Sequence, residues 1–504
     1  MTATAPQQTA ARSTPESVAA LTPELRLRAG VRVEPVGDAL VLHGAGRETT
    51  LRALPAPLRE ALLDLGARRT GSSRLRDPRV RVGLQALMTR LGHLAETSWS
   101  IDGTEMMVHQ GTTRDAASRP AAVAAEATVR LSRFALLRSS QGTLVLECPL
   151  TTHRFLLTSI TARTLAADLG SPARVATLLD ETAADHAART GLLAHWVGAG
   201  CIEVAGPSGA FASDADEVLR QWDFHDLLMH SRTRSGRFDE PLGAFSPHRG
   251  TIAPLPATTA PRADALSTRQ LPRPDLRELA QQDPPLGQVL DQRRSIRDYA
   301  DEPVTLQELG DFLLRSFRDR ARFDPTDPAE ESKVSRPYPS GGGLYEHELY
   351  LTVRRCAGLE PGIYRYDPLR HAVELINDEE ADRAAMLNIA AAATGHPAAP
   401  DVLVTLTARF QRMAWQYRSI AYANILRNTG AIYQTMYLVA TAMGLAPCAL
   451  GNGDADLAAR VLGLDYLRES SVGEVILGRR RPGDSFDGRS VPGWTVLDSV
   501  DDNP

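Results

Sequence analysis

Eight prolines fall within the 39 residues from 247 to 285, about 20%, against 33 in 504, about 6.5%, for the whole chain. Proline locks φ and lacks an N–H, so such a stretch disfavours regular structure and favours an extended connection. It predicts a joint between two halves. At roughly 100–200 residues per domain, 504 residues predict about three domains in all.

Hydrophobic residues make up 43% and charged residues 23%, enough apolar side chains for a buried core. The net charge of −5 excludes a globally basic nucleic-acid binder but leaves room for a local basic patch. Lys333 is the one lysine among 56 basic residues, leaving 55 arginines and almost no amine for lysine chemistry. Cys148, Cys201, Cys356 and Cys448 are too far apart in sequence for a CxxC or zinc spacing, and read as reduced packing residues; no metal site is expected. The polar start of the chain has no apolar signal region, so residues 1–20 read as a disordered tail and the protein as cytoplasmic. Residues 429–450 are free of charge, but Gln434, Thr435, Thr441, Gly444 and Pro447 interrupt them, and a core helix is expected rather than a membrane span.

The N-terminal half repeats. Asp38–His43 is a short apolar strand followed by leucines at helical spacing, and Gly142–Glu147 with Leu157, Ile160, Leu165 and Leu169 follows the same plan about 104 residues later. Each copy then carries a second amphipathic helix, a winged-helix-like pattern. The C-terminal half reads as α+β. Strands are expected at 348–355, 401–407 and 473–478, a hairpin at 362–376, and helices at 305–316, 381–393 and 420–443.

Four segments carry chemistry. Arg293, Ser295 and Arg297 alternate, so in extended backbone they face one side and offer two guanidinium forks and a hydroxyl, the donors a phosphate needs. Thr305 and Glu308 then form a capping box opening a helix. Pro339-Ser340-Gly341-Gly342-Gly343 is a loop whose backbone N–H groups can approach a flat or anionic ligand, but no Gly-Lys-Ser/Thr makes it a P-loop. A glycine-rich turn follows at Leu450-Gly451-Asn452-Gly453, and the strand ending at Gly478 runs into Arg479-Arg480-Arg481.

In this order and spacing the four segments, over about residues 280–485, resemble the FMN-dependent nitroreductase superfamily, and within it the azoline dehydrogenases of the streptolysin S type. Trp222–His230 with Ser231–Arg237 resembles the segment those enzymes carry before the flavin domain, and Phe410–Arg418 with Ile420–Tyr422 resembles their active-site segment. The resemblance implies an α+β nitroreductase-like domain with a four- to five-stranded antiparallel sheet flanked by helices. That domain would be a homodimer with FMN at its interface, preceded by two small winged-helix-like domains. It implies that Arg293, Ser295, Arg297, Arg479 and Arg481 hold the phosphate and ribityl chain, that Pro339, Ser340 and Gly341 line the isoalloxazine, and that Leu450 and Gly451 lie near its reactive N5. The implied reaction is oxidation of a thiazoline or oxazoline in a ribosomally made precursor peptide, with loss of the Cα proton and of hydride from Cβ.

The domains expected are 21–125 and 126–210 (winged-helix-like), 211–285 (a connecting segment with the proline-rich linker) and 286–504 (the FMN domain). Residues 21–125 hold 15 arginines against 11 acids, six of them (Arg68, Arg69, Arg74, Arg76, Arg79, Arg81) within 14 residues, suited to an acidic leader peptide, with duplex DNA the rival. The partners expected are the precursor peptide with its leader, a cyclodehydratase and a second copy of the chain, with neither nucleic acid nor membrane. The active-site segment departs from the family. Gln416-Tyr417 stands where a Lys-Tyr pair is usual, and glutamine accepts no proton at neutral pH. Tyr417 remains as phenol donor or base, with Lys333, Glu346 and His347 as further candidates. Three alternatives stay open: an NAD(P)H-driven flavin reductase or nitroreductase, a catalytically altered scaffold partner of a cyclodehydratase, and a relative acting on a different peptide bond or residue, which would explain a changed base with the flavin kept.

Overall fold

The computed structural model describes residues 21–44, 47–68, 77–91, 93–113, 119–179, 183–238, 242–395 and 399–483. Arg69, Arg74 and Arg76 of the basic stretch, and the tail 1–20, lie outside them. The chain divides into two units, Met1–Leu242 and Gly243–Pro504.

The first unit contains the repeat. Strand β1 (Thr22–Leu27) precedes a meander of β2 (Arg32–Val36), β3 (Ala39–Gly44) and β4 (Arg47–Leu51), then helices α1 (Ala56–Gly66) and α2 (Pro78–Arg90), then β5 (Ala95–Ile101), which pairs antiparallel with β1, and β6 (Thr104–Gly111). The order returns as β7 (Thr128–Leu131), the meander β8 (Leu136–Ser140), β9 (Thr143–Glu147) and β10 (His153–Leu157), helix α3 (Ile160–Asp168), a short β11 (Ala173–Arg174), helix α4 (Ala183–Gly198) and β12 (Ile202–Val204), which pairs antiparallel with β7. The copies do not fold as separate sheets. Strand β6 pairs with β10, giving one six-stranded sheet, β1-β5-β6-β10-β9-β8, across the boundary expected near 125. Each copy keeps its own core: Leu40, Leu42, Leu62 and Leu84 in the first, Leu146, Phe155, Leu165 and Trp196 in the second. The segment 211–238 belongs to this unit. Arg232 pairs with Glu147 at 3.3 Å, and Arg237 Nη1 donates to Leu150 O at 2.7 Å.

The proline-rich segment is not a free joint but part of the second unit. Just before it β13 (Gly243–Ala244) pairs with residues 417–418, and within it β14 (Ser267–Gln270) adds a strand to the main sheet. Buried arginines satisfy the carbonyls that prolines leave without ladder partners. Arg412 Nη1 donates to Leu255 O at 2.5 Å, and Arg409 donates to Pro256 O at 2.8 Å and Ala257 O at 3.0 Å.

The rest of the second unit follows the expected order: helix α5 (Leu306–Phe317), the hairpin β15 (Ala321–Phe323) and β16 (Lys333–Ser335), strands β17 (His347–Val353), β18 (Gly362–Asp367) and β19 (Ala372–Asn377), helix α6 (Glu380–Thr394), β20 (Val402–Arg409), helix α7 (Phe410–Gln416), β21 (Tyr417–Arg418), helix α8 (Ala421–Ala442), β22 (Leu445–Ala449), helix α9 (Ala455–Leu462) and β23 (Glu469–Arg479). The sheet, β14-β19-β18-β17-β20-β23-β22, has seven strands rather than four or five. Both faces are covered, which is why β17 and β20 are buried at every position and lack the alternation of a one-sided strand. Helices α5 and α8 pack on one face through Leu309, Phe312, Leu313, Phe317, Ile432 and Met436. Helices α6 and α9 cover the other through Met386, Leu387, Val461 and Leu462. Each such side chain contributes about 1.5–3 kcal/mol by burial. All four cysteines are free and buried. Among the described residues no helix is long and apolar enough to cross a membrane.

Candidate functional site

Helix α8 organises the candidate site. Arg427 is its one charged residue. Ile432, Met436 and Ala440 face the core, while Asn428 and Tyr437 turn polar groups toward loops nine residues apart, about 13 Å along the axis.

At the Tyr437 end, Ser295 Oγ lies 2.6 Å from Tyr437 Oη, and the Arg293 guanidinium stands over the ring, 5.2 Å from its centroid. Ile296 N–H donates to Pro447 O at 2.9 Å and its side chain packs into the core, so Arg293, Ser295 and Arg297 take the other side, as the alternation required. Tyr437 Oη also accepts from Ala449 N–H at 2.8 Å. One hydroxyl therefore ties the arginine segment to the strand that leads into Leu450 and Gly451. Among the described residues neither Arg293 nor Arg297 pairs with a carboxylate. Arg479 and Arg481, at and just beyond the end of β23, lie against residues 299–308, which follow the arginine segment. Arg479 Nη2 donates to Glu308 Oε1 at 2.6 Å and Arg481 Nε to Tyr299 O at 2.9 Å, so a phosphate would compete with Glu308 for Arg479.

At the Asn428 end sits the glycine loop. Gly341 N–H donates to Asn428 Oδ1 at 3.1 Å. Asn428 Nδ2 donates to Glu346 Oε1 at 2.8 Å and to Ser340 Oγ at 3.2 Å, Ser340 Oγ accepts Tyr345 N–H at 3.0 Å, and it donates to Glu346 Oε2 at 3.2 Å. The Ser340 hydroxyl and the Gly341 N–H are thus spent within the protein, on the loop and on helix α8, so this loop offers a ligand a surface more than a set of donors. Glu346 and His347 are fully buried beneath the loop, out of a substrate's reach; burial pushes the His347 imidazole down. Lys333 is exposed on β16.

The glycine loop meets the active-site segment. Gly342 has φ +64°, and a Cβ there would lie 2.8 Å from Tyr417 Oη and 3.2 Å from Gln416 Oε1. The Gln416 Oε1 is buried without a hydrogen-bond partner among the described residues. Burial, with the charges of Glu331 and Glu346, raises the Tyr417 phenol, which therefore stays protonated at neutral pH. Trp415 is buried, donating its Nε1–H to Ile252 O at 2.7 Å.

The residues fit the flavin mononucleotide that the resemblance implies. Among the described residues Arg293 and Arg297 have no acid partner, and a Cβ at Gly343 or Gly451 would meet no atom within 4 Å, leaving open space for a ring system. The sequence reading missed Tyr437, Asn428 and Glu331. Tyr437 and Asn428 were hidden in a helix whose apolar residues announce only a core, and Glu331 in a loop without a motif.

A family model described as Nitroreductase family matches residues 290–479, and one described as Cyanobactin oxidase ThcOx matches residues 129–239. A protein named as a nitroreductase in Methanocaldococcus jannaschii is 31% identical over 184 residues, 36% of this chain and 84% of that one. The microcin B17-processing protein McbC of Escherichia coli is 31% identical over 132 residues, 24% of this chain and 45% of that one. Among solved structures, a nitroreductase-named protein of Ralstonia eutropha matches with a TM-score of 0.34 at 19% identity, covering 48% of this chain and 99% of that one. A chain of the E. coli microcin synthetase McbBCD complex with truncated pro-MccB17 bound matches with a TM-score of 0.32 at 22% identity, covering 38% and 70%.

Proposed function

The chain belongs to the nitroreductase family, oxidoreductases that use FMN, and we propose that it oxidises thiazoline or oxazoline rings of a ribosomally made precursor peptide to the aromatic azoles. The observation that carries this reading is the pairing of two matches in one chain: a cyanobactin-oxidase segment at 129–239 and a nitroreductase domain at 290–479. The similarity to a microcin-processing protein supports the same substrate class. Bound FMN would supply a hydride acceptor. Arg293, Ser295 and Arg297 would hold its phosphate, with Arg479 and Arg481 beside them. The backbone of Pro339, Ser340 and Gly341 would line one side of the ring, and Leu450 and Gly451 would approach N5. In one chain the Tyr437 and Asn428 clusters stand apart along α8, and a homodimer would bring clusters from two copies to one flavin.

Unit 1 would bind the leader. Among the described residues the outer edge of β4 has no partner strand, whereas the equivalent β10 of the second copy is paired by β6. An extended peptide adding to β4 would complete the same arrangement. A cyclodehydratase is the partner that would supply the azoline.

A second reading, an NAD(P)H-driven nitroreductase, is favoured by the extent of the M. jannaschii similarity. Anaerobic mixing separates the two. A synthetic thiazoline-containing peptide should bleach the visible flavin absorbance within a turnover, and NADPH should not. Rapid bleaching by NADPH with none by the peptide would overturn the azoline reading. Leader binding is read by fluorescence anisotropy with leader peptide and with duplex DNA, on wild type and an Arg68/Arg79/Arg81→Ala variant. Weaker leader binding in the variant is expected.

A further inference from the structure

The proton acceptor of this site is unassigned. Gln416 has no basicity, Tyr417 stays a phenol, and Glu346 and His347 are sealed under the glycine loop. Glu331 is placed differently. The residue before it, Glu330, receives two hydrogen bonds from Arg249, at 2.6 and 3.2 Å. The residue after it, Ser332, accepts on its carbonyl from Arg412 Nη2 at 2.8 Å and on its hydroxyl from Ala257 N–H at 2.8 Å. Both anchors belong to the frame of the active-site segment. Arg412 lies one turn before Gln416 on α7, and the 243–249 segment holds α7 through Phe245 and Ser246 N–H donating to Gln416 O, each at 2.9 Å. The Arg249 guanidinium also stands 6.0 Å from the Trp415 ring centroid.

Between these anchors Glu331 is half-buried, unlike the fully buried Glu346 and His347, and its Oε1 has no hydrogen-bond partner among the described residues. An unpartnered carboxylate oxygen is costly to maintain and calls for a reason, of which a role in proton transfer is one. Burial raises the carboxyl above its ordinary range, while Arg412, Lys333 and Arg249 draw it down and Glu330 pushes it up. Its charge in turn helps to hold Tyr417 protonated.

We propose that Glu331 is the proton acceptor of the azoline oxidation, in place of the amine absent at position 416. The inference rests on the azoline reading. The Cα–H bond of the ring breaks with its proton going to the Glu331 carboxylate. The Cβ–H bond breaks with its electron pair leaving as hydride to FMN, and a Cα=Cβ double bond forms, so the ring loses two electrons and the flavin gains them. Tyr417 donates a hydrogen bond beside the reacting ring.

The test uses the full-length holoprotein and a synthetic thiazoline-containing peptide. Glu331→Gln should keep its FMN absorbance and peptide affinity yet bleach the flavin about 100-fold more slowly. The wild-type rate should fall toward acid pH as the carboxylate protonates, and this limb should vanish in Glu331→Gln and survive in Glu331→Asp. A second readout needs no turnover: the ultraviolet titration of Tyr417, taken as the difference between each protein and its Tyr417→Phe partner. Removing the Glu331 charge should lower the Tyr417 midpoint. A Glu331→Gln rate within threefold of wild type, or an unmoved Tyr417 midpoint, would overturn the proposal. If the peptide bleaches no protein while the Tyr417 midpoint shifts, the azoline reading fails and the Glu331–Tyr417 pairing stands.

Discussion

At the scale of single residues, the site depends on contacts a few tenths of an ångström wide. Gly342 is left-handed, and only a hydrogen stands between its Cα and the Tyr417 hydroxyl. Gly342→Ala should cost about 1–2 kcal/mol from the backbone alone and displace Tyr417. Peptide oxidation should fall while FMN content is kept, as read by turnover against flavin absorbance. The Gln416-Tyr417 pair and the glycines were visible in the sequence because local pattern carries them. That the Tyr417 phenol stays protonated was not visible, because its environment comes from Glu331 and Glu346, both far away in sequence. Nor was the fate of the Ser340 hydroxyl, which depends on a helix residue 88 positions on.

At the scale of elements, helix α5 shows what is legible and helix α8 what is not. The Thr305–Glu308 capping box forms as the sequence required, with Glu308 N–H donating to Thr305 Oγ1 at 3.2 Å and Thr305 N–H to Glu308 Oε2 at 2.8 Å. Thr305→Ala should destabilise the second unit by about 1 kcal/mol, seen as a lower denaturant midpoint at unchanged slope. The absence of charge over 429–450 predicted a buried helix; α8 takes it as far as Ala442, and Leu445–Ala449 is strand β22 instead. The same pattern concealed Tyr437, whose hydroxyl links Ser295 to Ala449. Tyr437→Phe should leave the fold intact and weaken FMN binding about tenfold, the order of one lost hydrogen bond, measured by flavin release on dilution.

At the scale of the whole molecule, the two units should respond differently to acid. His109, His153 and His195 of the first unit are buried neutral, their pKa values pushed down by burial to about 3, 4 and 4. The unfolded chain binds protons at these groups near the ordinary histidine value of about 6.5, where the folded chain does not. Stability of the first unit is therefore whole above that pH and lost as pH falls toward 4, by up to about 1.4 kcal/mol per pH unit for each histidine. Calorimetry from pH 7 to 5 should show the first unit's transition falling, and His109→Phe should blunt the fall. His109 Nε2 and His153 Nδ1, 3.0 Å apart, join β6 to β10, the strand pair that fuses the repeat into one sheet. By itself the sequence determined the repeat, the order of helices and strands, the capping box and the segments of the candidate site, because periodicity, caps and turns are properties of neighbours along the chain. Only the tertiary structure decided that the two copies share a sheet, that buried arginines bind a proline-rich segment into the second unit, and that the residues on either side of Glu331 are held by Arg249 and Arg412. Those outcomes turn on which distant groups satisfy buried charges and carbonyls, and a one-dimensional pattern does not record that.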